Sequence, residues 1–314
     1  MADVTDAAFR RIIAKYGKPD VMFTEFTSAD GLCSEEGRKA LLVNLKFSEE
    51  ERPIVAQLFS SRPEKMFEAA KLVRKLGFNG LDINMGCPDR SIEKSGAGAA
   101  LIKNPKLARE LIRAAKEGVS AGGGADAAAR PIPVSVKTRL GYNRNELKTW
   151  LPELLAEEPA AVTIHARTRK EMSKAAAHWE EIRRAVEIRD ALKSKTLILG
   201  NGDVADLKDA RAKARASGAD GVMLGRAIFG NPFLFNQTKQ IADLSVAERL
   251  KVMLEHVELF ELLFGKRKNF AIMKKHFKAY VSGWDGAKDL RANLMESKDA
   301  ADARSITVRY FGGS

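Results

Sequence analysis

Cysteine is almost missing from this chain: only Cys33 and Cys87 occur in 314 residues. Two thiols so far apart exclude a disulfide framework and a cysteine-based metal site, and they fit a reducing cytoplasm. No apolar run reaches the roughly 20 residues that a membrane-spanning helix needs, and no signal-peptide pattern opens the chain. A cytoplasmic, unexported, metal-free protein with no membrane partner is therefore expected, and a monomer. Negative charge is also short. Lys+Arg number 53 against 41 Asp+Glu, which gives +12 and a pI near 9.6. Such a balance favours a polyanionic partner, nucleic acid foremost.

What is present is a regular alternation. Short β-branched or apolar runs recur at 20–26, 53–59, 80–84, 132–138, 161–165, 196–200 and 221–224. Between them, 63–76, 104–117, 146–156, 179–188 and 204–216 carry apolar residues at helical spacing. The runs lack a polar alternate face, so they read as parallel strands covered on both sides. The length suits a barrel of roughly 250 residues with an appendage. The expected class is α/β: a (β/α)8 TIM barrel short of its first strand, which would precede Met1, or else a seven-stranded or open sheet. The chain opens instead on a helix, Asp6–Tyr16, with Thr5 as its cap and Phe9, Ile12 and Ile13 as its apolar stripe. Gly118–Arg130 reads as a flexible Gly/Ala insertion on the face away from the chemistry.

Beyond Leu244 the strands stop, and Val246–Phe264, Asn269–Val281 and Ala287–Glu296 read as helices. A catalytic barrel over 1–243 and a helical domain over 244–314 are expected. The helical part holds Lys266, Arg267, Lys268, Lys274, Lys275, His276, Lys278 and Arg291. Phe270, Phe277, Tyr280 and Trp284 are interleaved among them, a pattern that suits nucleic acid.

The chemistry gathers at strand carboxyl ends, where this fold class binds ligands. Asp82-Ile83-Asn84-Met85-Gly86-Cys87-Pro88 runs from a strand into a forced turn, because Pro88 cannot donate to a ladder and Gly86 tolerates tight backbone. Cys87 is thus the candidate catalyst, and Cys33, without such a setting, reads as structural. Gly200-Asn201-Gly202-Asp203 and Gly225-Arg226-Ala227 follow the last two strands, where this fold commonly builds a phosphate site, with Arg226 as countercharge. Lys137 and Arg139 share one side of their strand, and His165 and Arg167 repeat the arrangement one strand on. Together they make a positive mouth. Gln57 ends a strand with an amide that can both donate and accept, as a heterocycle edge requires.

These residues resemble the tRNA-dihydrouridine synthases. The matching pieces are Val4-Thr5-Asp6 with Phe9-Arg10, Ala56-Gln57-Leu58, Asn84-Met85-Gly86-Cys87-Pro88, Gly96-Ala97-Gly98-Ala99-Ala100-Leu101, Lys137-Thr138-Arg139, His165-Ala166-Arg167, Asn201-Gly202-Asp203 and Gly225-Arg226. They keep the family's order over the first 235 or so residues, and the helical tail, with Lys275-His276 and Arg291, matches more weakly. The resemblance implies an FMN-containing barrel and a helical domain that helps to hold tRNA. It implies FMN contacts from Met1, Gln57, Lys137, His165, Asn201, Gly202, Asp203, Gly225 and Arg226. Asn84, Arg139 and Arg167 would face the uracil or nearby RNA, and Cys87 would be the acid. NADPH or NADH would reduce the flavin. The chain begins at the methionine of the family's usual Ala-Pro-Met, so the strand and turn before it are expected to be missing. Two other readings are a flavin barrel acting on a free pyrimidine, as dihydroorotate dehydrogenases do, and an RNA-binding protein without catalysis.

Overall fold

A computed structural model describes residues 1, 3–122 and 131–312. By packing, the chain divides into two units. One comprises Phe26–Leu42 and Pro53–Gly225, the other Met1–Glu25, Val43–Arg52 and Arg226–Ser314. The division expected at residues 243 and 244 is of a different kind, since it marks where strands give way to helices.

The run at 20–26 does not form one strand. It resolves into β1, Met22–Phe23, and β2, Thr27–Ser28, with buried Thr24 and Glu25 between them. Thr24 Oγ1 donates to the Glu25 carbonyl at 2.9 Å, a local bond that competes with ladder pairing.

In the first unit β2 is followed by β3 (Ile54–Phe59), β4 (Gly80–Asn84), β5 (Val134–Arg139), β6 (Ala161–His165), β7 (Leu197–Asn201) and β8 (Gly221–Met223). Each pairs in parallel with the next in chain order. Helices Pro63–Lys75, Pro105–Ala121, Leu147–Leu155, Trp179–Ala191 and Leu207–Ser217 occupy the crossovers. This is the expected class, an α/β parallel sheet of TIM-barrel type, with a helical region following it in the chain. Gly118–Ala121, read as the start of an insertion, instead completes the helix Pro105–Ala121 with Gly122 as its cap. A Cβ at Gly118 would lie 2.4 Å from the Phe67 carbonyl oxygen, so glycine there lets two helices touch. The rest of that segment, 123–130, lies outside the described residues.

Register explains why the sheet carries chemistry on one face. Gln57, Asp82 and Ser135 are cross-strand partners, Asn84 faces Lys137, Arg139 faces His165, and His165 faces Asn201. Paired residues share a face, as do residues two apart on one strand, so all eight polar side chains project the same way. The opposite face presents Leu58, Ile83, Val136 and Ile164, each fully buried.

In the second unit the helix at the chain's start runs Ala7–Gly17, and its cap is Asp6 rather than Thr5. Asp6 Oδ1 accepts from the Phe9 N–H at 3.0 Å, whereas Thr5 Oγ1 takes the Met1 amine at 2.8 Å. The helix packs against Val246–Phe264, which starts on a reciprocal Ser245/Glu248 cap. Ala271–Tyr280 and Ala287–Met295 follow as read, and Ala300–Gly312 adds a helix that the sequence reading lacked. The tail aromatics are not a stacking platform. Phe277 and Tyr280 are buried, with Phe270 and Trp284 packed on the same apolar core. Among the basic residues there, His276 is buried and Lys268 pairs with Glu25 at 2.6 Å, while Lys278 stays exposed.

Candidate active site

The thiol of Cys87 sits in a turn whose shape is set by its neighbours. Asn84, at the end of β4, turns its Oδ1 forward to accept from the N–H groups of Gly86 at 3.1 Å and Cys87 at 2.9 Å. Arg139 Nε holds the Gly86 carbonyl at 2.7 Å, and the Ala99 N–H holds the Cys87 carbonyl at 2.9 Å. At Gly86 a Cβ would stand 3.1 Å from the Thr138 carbonyl carbon. Glycine at position 86 is therefore a requirement of close approach to β5.

Gly98 is tighter still. Its φ is +61°, and a Cβ there would lie 2.7 Å from the Cys87 carbonyl oxygen and 2.9 Å from Ile92 Cγ2. Gly98→Ala is expected to cost about 1–3 kcal/mol, the usual cost of a strained backbone site, and to push the Cys87 carbonyl aside. Chemical denaturation and the alkylation rate of Cys87 check this; an unchanged midpoint together with an unchanged rate would contradict it.

Electrostatics around the thiol favour its neutral form. Burial pushes the Cys87 pKa upward, and the charges of Arg139 and Lys137 oppose that only in part. Lys137 is itself pushed down to about 8, first by burial and then by the neighbouring Arg139. Its ammonium donates to the neutral Asn201 Oδ1 at 3.3 Å. An ammonium has three donors, and among the described residues this bond answers only one.

Two residues of the site carried no role in the sequence reading. Asp82 is fully buried, and burial raises it to about 6 against the hydrogen bonds of Ser135 and Gln57. Ser135 Oγ donates to Asp82 Oδ1 at 2.6 Å, and Gln57 Nε2 donates to Asp82 Oδ2 at 2.7 Å. Asn84 Nδ2 in turn donates to Gln57 Oε1 at 3.3 Å. The signal was an acid between Leu81 and Ile83 in a buried strand, where an acid is rarely left unpaired.

The remaining candidates fall into two groups. Arg139 and Arg167, expected to face substrate, are buried and engaged in holding loops. Arg139 Nη1 donates to the carbonyls of Thr168 and Met172, while Arg167 Nε donates to the Ala175 carbonyl and its Nη2 pairs with Asp203. His165 Nε2 lies 3.1 Å from Arg167 Nη1. A guanidinium can only donate, so that nitrogen is the imidazole's acceptor. Asn201 Nδ2 reaches the Met223 carbonyl at 2.7 Å and ties the ends of β7 and β8. Gly202 has φ +124°, and Trp179 Nε1 donates to its carbonyl at 2.8 Å. Gly225 belongs to the same unit, whereas Met1 and Arg226 belong to the other.

A parallel α/β sheet with a cation-bearing carboxyl edge and a turn-borne thiol has the layout of a barrel-type enzyme. Comparison with known proteins makes this more specific. The family model for dihydrouridine synthase (Dus) matches residues 1–311. A probable tRNA-dihydrouridine synthase of Staphylococcus aureus (strain MRSA252) is 41% identical over 312 residues, covering 99% of this chain and 91% of that protein. A probable tRNA-dihydrouridine synthase 2 of Bacillus subtilis (strain 168) is 40% identical over 308 residues, covering 98% and 90%. The chain belongs to the dihydrouridine synthase family, a family of flavin-dependent oxidoreductases.

Proposed function

We propose that this protein reduces the C5–C6 double bond of a uridine in tRNA to 5,6-dihydrouridine, with FMN as its bound cofactor and NADPH or NADH as reductant. The observation that carries the reading is the Cys87 thiol, set in a turn that Asn84 holds three residues beyond the position that pairs with Lys137, with burial pushing its pKa upward.

The residues fit the flavin by their chemistry. The half-buried Lys137 ammonium has donors to spare and suits the edge of a ring system that gains negative charge on reduction. A Cβ at Gly225 would meet nothing within 4 Å, so backbone there is open to a phosphate. Gln57, His165, Asn201, Gly202 and Asp203 share that edge. When bound, reduced flavin supplies the hydride that adds to C6 of the uracil.

The chain's own residues do the rest. Hydride addition leaves enolate-like charge over C5 and the C4 carbonyl, so a proton must reach C5. A thiol at its ordinary ~8.5 is already mostly protonated at neutral pH, and burial at Cys87 strengthens that bias. Cys87 Sγ gives its proton to C5, the S–H electron pair staying on sulfur as a thiolate that the charges of Arg139 and Lys137 stabilise. Asn84 and Arg139 serve by holding the loop that aims the sulfur.

The test is incubation of purified protein with FMN, NADPH and unmodified tRNA, followed by nucleoside mass spectrometry. Dihydrouridine in the RNA supports the reading; reduction of free uracil or orotate without reduction of tRNA overturns it.

Docking of the RNA falls to the helical region. Lys278, Lys288 and Arg291 line one groove together with Ala292 and Met295, and Arg291 Nη1 is anchored on the Val281 carbonyl at 2.9 Å. Lys288→Glu with Arg291→Glu is expected to weaken tRNA binding uniformly and to flatten the plot of log K against log salt by about one unit per lost phosphate contact. An unchanged slope in filter binding would remove this groove from the interface.

A further inference from the structure

Asp82 does not touch the thiol, yet a directional chain of hydrogen bonds joins them. An amide has one donor end and one acceptor end. The backbone N–H groups of Gly86 and Cys87 can be met only by an acceptor, so Asn84 turns Oδ1 to the loop and Nδ2 to Gln57. Gln57 must then present Oε1 to Asn84, which aims its Nε2 at position 82. An acceptor is needed there. Asp82 supplies it, fixed in turn by Ser135 Oγ on its other oxygen. Turned the other way, each amide would set N–H against N–H, so the backbone groups of the turn give the relay its direction and the buried acid anchors its far end.

We propose that Asp82 is a positioning residue: through Gln57 and Asn84 it orients the turn that carries Cys87. The role is independent of which substrate the thiol serves, and its test reads thiol chemistry, so failure here is distinct from failure of the proposed reaction.

Cys33 provides an internal reference. It is the other free thiol, half-buried in a different segment, with Sγ 3.5 Å from the Lys65 carbonyl oxygen. The full-length protein is treated with iodoacetamide, and alkylation of both cysteines is followed by peptide mass spectrometry. In Asp82→Leu the Cys87-to-Cys33 rate ratio should rise about fivefold, the equivalent of one net hydrogen bond lost from the turn. In Asp82→Asn it should stay near that of the unaltered protein, because Asn Oδ1 can accept from Gln57 while Nδ2 donates to Ser135 Oγ. Should Asp82→Leu fail to fold, Gln57→Leu cuts the same relay one link nearer the turn and carries the same expectation. General loosening would speed both cysteines together and leave the ratio alone. An unchanged ratio in the leucine variant, or an Asn variant as fast as Leu, overturns the proposal.

Discussion

Replacing Cys87 by alanine should slow dihydrouridine formation by about a hundred- to ten-thousandfold, the usual contribution of a positioned general acid, with flavin binding and tRNA affinity retained. The separation is expected because the side chain contributes one proton and little else. The turn is held by backbone groups of residues 86, 87 and 99, and alanine keeps all of them. Single-turnover reduction of tRNA by pre-reduced enzyme isolates the step, and flavin absorbance reports the cofactor independently. The pH profile adds a second reading. Lys137, held near 8, loses its charge first as pH rises, so the rate falls above about pH 8. A further decline follows where the thiol ionises, later than for an ordinary thiol because burial raises it. Only the first limb should survive in Cys87→Ala. Wild-type single-turnover rates in that variant would take the thiol out of the reaction.

Most of the sheet was legible because each strand keeps one face of buried apolar residues, such as Leu58, Ile83, Val136 and Ile164, and from 53 onward each strand lies within a residue or two of its run; the polar face that carries Gln57, Asp82, Asn84 and Lys137 emerges only from the register. The exception is instructive. At 20–26 two polar residues, Thr24 and Glu25, sit inside a hydrophobic-looking run and end one strand before the next begins. The helix Ala300–Gly312 escaped notice for the opposite reason. It turns only small or polar residues such as Ala303 and Thr307 fully inward, so it lacks a broad apolar stripe. Cys87 could be picked out from Gly86 and Pro88, since a turn is a local property. The Asp82–Gln57–Asn84 relay could not, because it joins strands 25 and 27 residues apart and exists only once register is known. The tail aromatics misled for a related reason: interleaving with lysine looks alike whether the rings face RNA or one another.

Arg10 and Glu51 predict the largest effect on stability. Their side chains are 2% and 0% exposed and meet at 2.6 Å, joining the helix Ala7–Gly17 to the segment Val43–Arg52. Each is also satisfied elsewhere. Arg10 donates to the carbonyls of Thr5 and Lys46, and Glu51 Oε1 accepts from the Ser48 N–H and Oγ. Such a pair offsets its own desolvation only while both members are present. Arg10→Met alone, or Glu51→Leu alone, should each cost about 3–5 kcal/mol, because either strands a buried charge. The double variant should cost far less than the sum, since it strands neither. Urea unfolding of the four proteins gives the coupling directly, and costs that add to within about 0.5 kcal/mol would show that the two charges are not a unit.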